Sequence, residues 1–158
     1  MKKLIVEMLE QRGVKIEEIA DLVLELQKPY LPNISLDVCI EQVEKVLDKR
    51  EVQNAMLTGM VLDVYTEKKM LPEPLQSILE TDEGLYGVDE VLALSITNIY
   101  GSIGFTNFGY LDKIKIGILE RLNNKKSGKV HTFLDDLVAA IAASAASRLA
   151  HGEKGEVI

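Results

Sequence analysis

Residues 132–150 read TFLDDLVAAIAASAASRLA, and this stretch decides the fold. Between Asp136 and Arg148 it carries no charge, and most of its side chains are Ala or Ser. Ala is the best helix former, and small side chains let neighbouring helices approach closely. The spacing predicts a long helix, the most buried in the protein, lying at the centre of a helical domain or in the core of an oligomer. Residues 87–104, GVDEVLALSITNIYGSIG, open in the same way, with Asp89-Glu90 followed by no further charge. An unpaired carboxylate taken out of water is costly, so in such company it is expected to be capped, paired, protonated or metal-bound.

Working outward, apolar residues recur at helical spacing almost everywhere. Residues 2–12 form a first helix, stopped by Gly13. Ile16, Ile19, Ala20, Val23 and Leu26 line a second, ended by Pro29 and Pro32. Ser35 caps a third along Leu36, Cys39, Ile40, Val43, Val46 and Leu47. Asp48 and Glu51 have capping-box spacing for a fourth helix through about Lys69. Asp63 is its one charged side chain between Val52 and Thr66, so this helix is expected to cross the core with Asp63 paired to an Arg or Lys. Pro72 and Pro74 bound a short fifth helix, 75–80, ahead of a polar loop and the helix carrying Asp89-Glu90.

GSIGFTNFG, residues 101–109, reads as a Gly-rich loop, followed by a helix from about Tyr110 to Leu122 and the NNKKSGK turn. Thr132 and Asp135 form a second capping box, and HGEKGEVI at the end reads as frayed. The fold class is all-α: a multi-helix single domain over 1–158, with an N-terminal helical extension (1–50), a core (51–151) and a central Ala-rich buried helix.

Composition narrows the partners. The chain has 158 residues, 47% hydrophobic but only 5% aromatic and without Trp, enough for one aliphatic core. A net charge of −7 argues against nucleic acid as a partner and against simple docking on an anionic membrane. Cys39 is alone, so no internal disulfide can form and a cytoplasmic location fits. No secretory signal is evident in residues 1–10. Residues 91–111 are uncharged and long enough to span a membrane, but Ser95, Thr97, Asn98, Ser102, Thr106, Asn107 and three glycines argue against a lipid-exposed helix. Any membrane association is therefore expected to be peripheral.

Acidic residues favour the first turn of a helix, so Glu90 and Asp135 serve equally well as caps or as ligands. Asp136 lies about 100° around the helix from Asp135, and both can be used only if something cationic lies between helices. Mg²⁺ with a phosphate substrate fits: the ion takes one or two carboxylates, keeps waters and binds substrate oxygens. Two helices offering two carboxylates each would supply the site, leaving one group to orient or deprotonate water. Which of Asp89 and Glu90 points inward is open at this level. The 101–109 segment, with Ser102 and Thr106, could nest a phosphate. Asp112, Lys113 and Lys115 follow it, with Asp112 available to the metal and Lys115 to phosphate; a solvated amphipathic face is the alternative. His131 and His151 read as cap or surface residues, and two His with one Cys make no zinc motif.

In order and spacing, GVDEVLAL, GFTNFGYLDKIKIG and TFLDDLVAAIAASAA resemble the phosphatidylglycerophosphatase A family over roughly residues 55–150, particularly its soluble branch of low-temperature requirement C proteins. The resemblance implies a Mg²⁺-dependent phosphatase that removes the terminal phosphate of phosphatidylglycerophosphate. By position, Asp89, Glu90, Asp112, Asp135 and Asp136 would be the acidic site, with Lys115 beside it. The chain departs from membrane-spanning members in lacking an N-terminal Gly-Thr-x-Gly-Ser element, in Gly109 where they carry Arg, and in Ile116-Gly117 where they are Pro-rich. The expected function is a phosphoric monoester hydrolase on a phosphate-containing small molecule or lipid, acting as a homo-oligomer, with Asp135, Asp136 and Glu90 catalytic. A non-catalytic helical oligomer or adaptor is the main alternative. An all-α nucleotide pyrophosphohydrolase fits less well, because its acids are usually three or four apart on one helix.

Overall fold

The protein is described by a computed structural model over residues 1–152 of the chain. The described residues form α1 (Lys2–Gln11), α2 (Ile16–Gln27), α3 (Leu36–Leu47), α4 (Arg50–Glu67), α5 (Leu75–Thr81), α6 (Val88–Thr97), α7 (Ser102–Ile114), α8 (Ile118–Leu122) and α9 (Leu134–Gly152). A 3-10 turn, Lys125–Ser127, lies between α8 and α9, and no strand occurs among the described residues. The expected frayed end beyond residue 152 lies outside them.

The Ala-rich helix is the axis of the fold. Every residue of α9 from Leu134 to Ser147 is buried, against α2, α3, α6 and α7 with α4 and α8 at its head. That burial is complete within one chain, so α9 is a central helix and its small residues serve intramolecular packing. α4 reaches it through Gly59, where a Cβ would lie 2.5 Å from Leu137 Cδ1 and 3.0 Å from Phe133 Cβ. A side chain there would force the buried Leu137 and Phe133 to shift, which favours glycine at that approach. α1 ends as expected at Gly13: its N–H donates to Glu10 O, the Val14 N–H reaches back to Leu9 O, and the buried Leu9 and Val14 close the turn. No described helix is long and apolar enough to cross a membrane.

Three local expectations are corrected. Residues 102–109 are the first two turns of α7, not a loop; only Gly101, at φ 81°, breaks the chain between α6 and α7. Gly104 sits 3.3 Å from Thr97 O by its would-be Cβ, so its smallness serves helix contact instead of a turn. The helix expected over 110–122 is two, α7 and α8, separated by Lys115 and Gly117 at φ 53° and 57°. Neither capping box forms. Asp48 ends α3 and accepts from Lys2 Nζ at 2.9 Å, and α4 starts at Lys49 without a side-chain cap.

Candidate functional site

The head of α9 is capped from another helix. Asp63, buried on α4, accepts the Phe133 N–H at 3.0 Å and the Leu134 N–H at 3.0 Å. These are first-turn donors that a helix cannot satisfy by itself, and a carboxylate there also meets the positive end of the helix dipole. Thr132, expected as the cap, instead donates its hydroxyl to Leu79 O at 2.6 Å. One turn along α4, Glu67 accepts the Val130 N–H at 2.7 Å and Arg12 Nη2 at 2.6 Å, while Arg12 also donates to Val130 O. Two acids four residues apart on α4 thus pin residues 130–134, and with them the position of Asp135-Asp136.

With Asp63 capping Phe133 and Leu134, those two acids face a lysine. Lys115 ends α7 in the left-handed conformation, which reverses the chain and brings its ammonium back over α9. Its Nζ lies 2.8 Å from Asp112 Oδ1, 3.0 Å from Asp135 Oδ2 and 4.0 Å from Asp136 Oδ1. Asp135 Oδ1 accepts the Asp136 N–H at 2.8 Å. The Asp136 carboxylate accepts no hydrogen bond among the described residues, although it is only 4% exposed.

The electrostatics follow from that crowding. Burial opposes the charge on Lys115, but Asp135 and Asp112 outweigh it and raise its pKa. Burial raises the Asp135 pKa to about 6 despite Lys115. Burial and then the neighbouring Asp135 charge push Asp136 higher still. One ammonium does not balance three carboxylates, so the site retains affinity for a proton or another cation.

The structure answers which acid of the α6 pair turns inward. Asp89 is half-buried and its charge acts on Asp136 and on Tyr86, whereas Glu90 is exposed. Lys113 is also exposed. Ser102 and Thr106 are exposed near the start of α7, where they line a groove of about 390 Å³ with Gln27, Tyr30, Ile103, Asn107 and Ala150. Nine residues of chain, roughly 13 Å if helical, separate Thr106 from Lys115. The structure therefore brings Asp112, Lys115, Asp135 and Asp136 together with Asp89 alongside, and leaves Glu90, Lys113, Ser102 and Thr106 elsewhere. Among the described residues no three His, Cys, Asp or Glu side chains converge as a ready metal cage, since the Lys115 ammonium sits where the acids meet.

Two contributors escaped sequence reasoning. Asp63 was visible as a lone acid in an apolar helix, but its partner is backbone seventy residues away, not a cation. His131 lines a cavity of about 80 Å³ that also contacts Asp135, Asp82, Lys125 and Lys129. Its Nδ1 lies 3.0 Å from Leu122 O, and its Nε2 is buried without a partner. Its place just before a helix head was the available signal.

An all-α protein with an acid–lysine cluster at the head of its central helix is the class that fold and site define. The chain belongs to the phosphatidylglycerophosphatase A family, which it matches over residues 5–151, a span that takes in nearly all of α1 and the whole of α2 and α3. It is 64% identical over 143 residues to the uncharacterised protein YutG of Bacillus subtilis (strain 168), covering 90% of this chain and 86% of YutG. It superimposes on the crystal structure of the low temperature requirement C protein from Listeria monocytogenes with a TM-score of 0.95 at 61% identity, covering 97% and 96% of the two chains. The crystal structure of YpjQ from Bacillus subtilis gives 0.94 at 58% identity, covering 98% and 96%.

Proposed function

We propose that this protein is a cytoplasmic, Mg²⁺-dependent phosphoric monoester hydrolase of the phosphatidylglycerophosphatase type. The observation that carries the reading is the Lys115 ammonium held by Asp112 and Asp135, with Asp136 buried beside it at 4.0 Å and accepting no hydrogen bond among the described residues. A phosphate site needs hard oxygen donors for a metal, a cation for phosphoryl oxygens and a group that moves a proton; these four side chains supply each.

The donor type suits magnesium, carboxylate oxygens from α6, α7 and α9 in negative excess, although the Lys115 ammonium now lies between them and they do not converge as a cage among the described residues. Asp135, Asp112 and Asp89 would hold the ion, which when bound polarises the phosphoryl group and acidifies water. Lys115 would then turn its ammonium from the acids to the phosphoryl oxygens, where positive charge stabilises the transition state. Asp136, buried beside Asp135 and 4.0 Å from the Lys115 ammonium, would orient the attacking water. The exposed Val91, Phe105 and Tyr110 support peripheral contact with a lipid surface or a second copy of the chain.

The test is phosphate release from a panel of monoesters, including phosphatidylglycerophosphate, with and without Mg²⁺. Mg²⁺-dependent turnover abolished by Asp135→Asn is expected; absence of turnover on every ester sinks the reading. A non-catalytic helical module is favoured by one observation, that Lys115 already sits among the acids. It expects Mg²⁺ to leave the thermal transition unmoved and Asp136→Asn to be neutral or stabilising.

A further inference from the structure

We propose that the groove between the end of α2 and the start of α7 is a second ligand site, and that it takes a small neutral molecule rich in hydroxyls, of the sugar or cyclic polyol class. The site stands apart from the acid–lysine cluster and does not depend on the hydrolase reading. Ala150 in its wall lies fifteen residues along α9 from Asp135, roughly 22 Å of helix.

α2 and α7 both pack on α9 but scarcely on each other, which leaves a groove of about 390 Å³ at the end of α9. That volume is in the range of sites for small organic molecules. None of its lining residues is charged. An ion taken out of water without a counter-ion is costly, so a phosphate, carboxylate or ammonium group finds nothing here to hold it. Ile103 and Ala150 supply apolar wall, and Tyr30, 73% exposed, presents an aromatic ring at the rim.

Gln27 carries the assignment. It is 3% exposed, yet its side-chain amide makes no hydrogen bond among the described residues. The other buried amides differ: Gln53 Nε2 donates to Leu47 O and Gln76 Nε2 to Thr66 O, each at 2.8 Å. The unpartnered side-chain polar atoms sealed from solvent belong to Arg12, Tyr100, His131 and Ser144. The Gln27 amide therefore keeps an opening, and Gln27 lines this groove. From α7, Asn107 adds a second amide without a hydrogen bond among the described residues, while the Thr106 hydroxyl is already spent on Ser102 O at 3.0 Å. Each amide offers N–H donors and a carbonyl acceptor. A hydroxyl donates, accepts and turns to suit, so adjacent hydroxyls on one small ring can answer two amides held on different helices. A ligand with acceptors alone leaves both amide carbonyls unanswered.

The whole chain, labelled with ¹⁵N, is titrated with myo-inositol, glucose, acetamide and inorganic phosphate while the side-chain amide signals of Gln27 and Asn107 are followed. Both signals are expected to move with at least one of the two polyols and neither with phosphate. Gln27→Leu keeps the volume and removes the amide. It is expected to weaken polyol binding about tenfold, the worth of one buried hydrogen bond, without lowering the thermal transition. Asn107→Ala, at a less buried position, is expected to weaken binding similarly and decides the matter even if Gln27→Leu does not fold. Adding Mg²⁺ and inorganic phosphate together is expected to leave the polyol affinity unchanged. Movement with acetamide alone, or equal movement with phosphate, overturns the ligand class. No movement with either polyol, or competition by Mg²⁺ with phosphate, overturns the separate site.

Discussion

The heads of α6 and α9 carry the same device, two adjacent acids in the first turn of a helix with little other charge, and the fold uses them in opposite ways. At α6 one acid is half-buried and the other exposed. At α9 both are buried, both have raised proton affinity, and a lysine from α7 is held against them. The difference comes from position in the fold. α9 is surrounded and α6 is peripheral, so the same dipeptide meets protein on all sides in one place and water in the other. The surrounding helices remove the solvent from the α9 pair, and Asp63 takes over the capping of Phe133 and Leu134.

The largest expected break in that contrast is Asp63→Ala. It leaves two buried N–H groups at the head of α9 without an acceptor and should cost about 3 kcal/mol in urea denaturation, with phosphate release falling too. No side chain among the described residues caps α6, so Asp89→Ala in the same assay should cost less than about 0.5 kcal/mol. Second, Asp136→Asn should lower steady-state phosphate release about a hundredfold. Glu90→Gln, at the exposed position, should stay within about twofold in that assay.

A third, smaller effect contrasts the packing of the two regions. Gly59→Ala puts a methyl 2.5 Å from Leu137 Cδ1 and should destabilise by about 2 kcal/mol, read from the denaturation midpoint. Gly109→Ala, with nothing within 4 Å of its added Cβ, should stabilise α7 by about 0.5 kcal/mol through helix propensity.

The last effect is with pH. Asp135 and Asp136 have folded pKa values above the unfolded value of about 3.9, so the folded state binds more protons than the unfolded state above that pH. Their contribution is fully present below about pH 4 and is lost as pH rises, through about 6 for Asp135 and through about 10 for Asp136, at a slope of up to about 1.4 kcal/mol per unit for each. Denaturation at stepped pH in a chelator should show that slope reduced in Asp136→Asn and unchanged in Glu90→Gln. Mg²⁺ should offset the loss at neutral pH.

Much of this was legible in the residues. The run from Leu137 to Ser147 could not be placed on a surface, and one charge in fifteen residues marked α4 as a core helix. The glycines of 101–109 misled because glycine serves two purposes. Only Gly101 turns the chain, while Gly104 permits close contact and Gly109 lies exposed in a helix. The break at Lys115 was hidden because a lysine carries no signal for the left-handed conformation; its ammonium is held by Asp112 one turn back on α7 and by Asp135 across on α9. Capping boxes were read from local spacing; at α9 a partner from a distant helix took the role instead, and α4 starts without a side-chain cap.

Periodicity and composition alone therefore determined the all-helical class, the central helix and the acids and lysine at issue, because burying apolar surface leaves a sequence of this pattern few choices. Tertiary structure alone decided which acids meet. Asp63 frees the head of α9, Lys115 folds back onto it, Asp89 turns in and Glu90 turns out. Those outcomes depend on which helices lie side by side and how much water they exclude, and neither is written in the spacing along one chain.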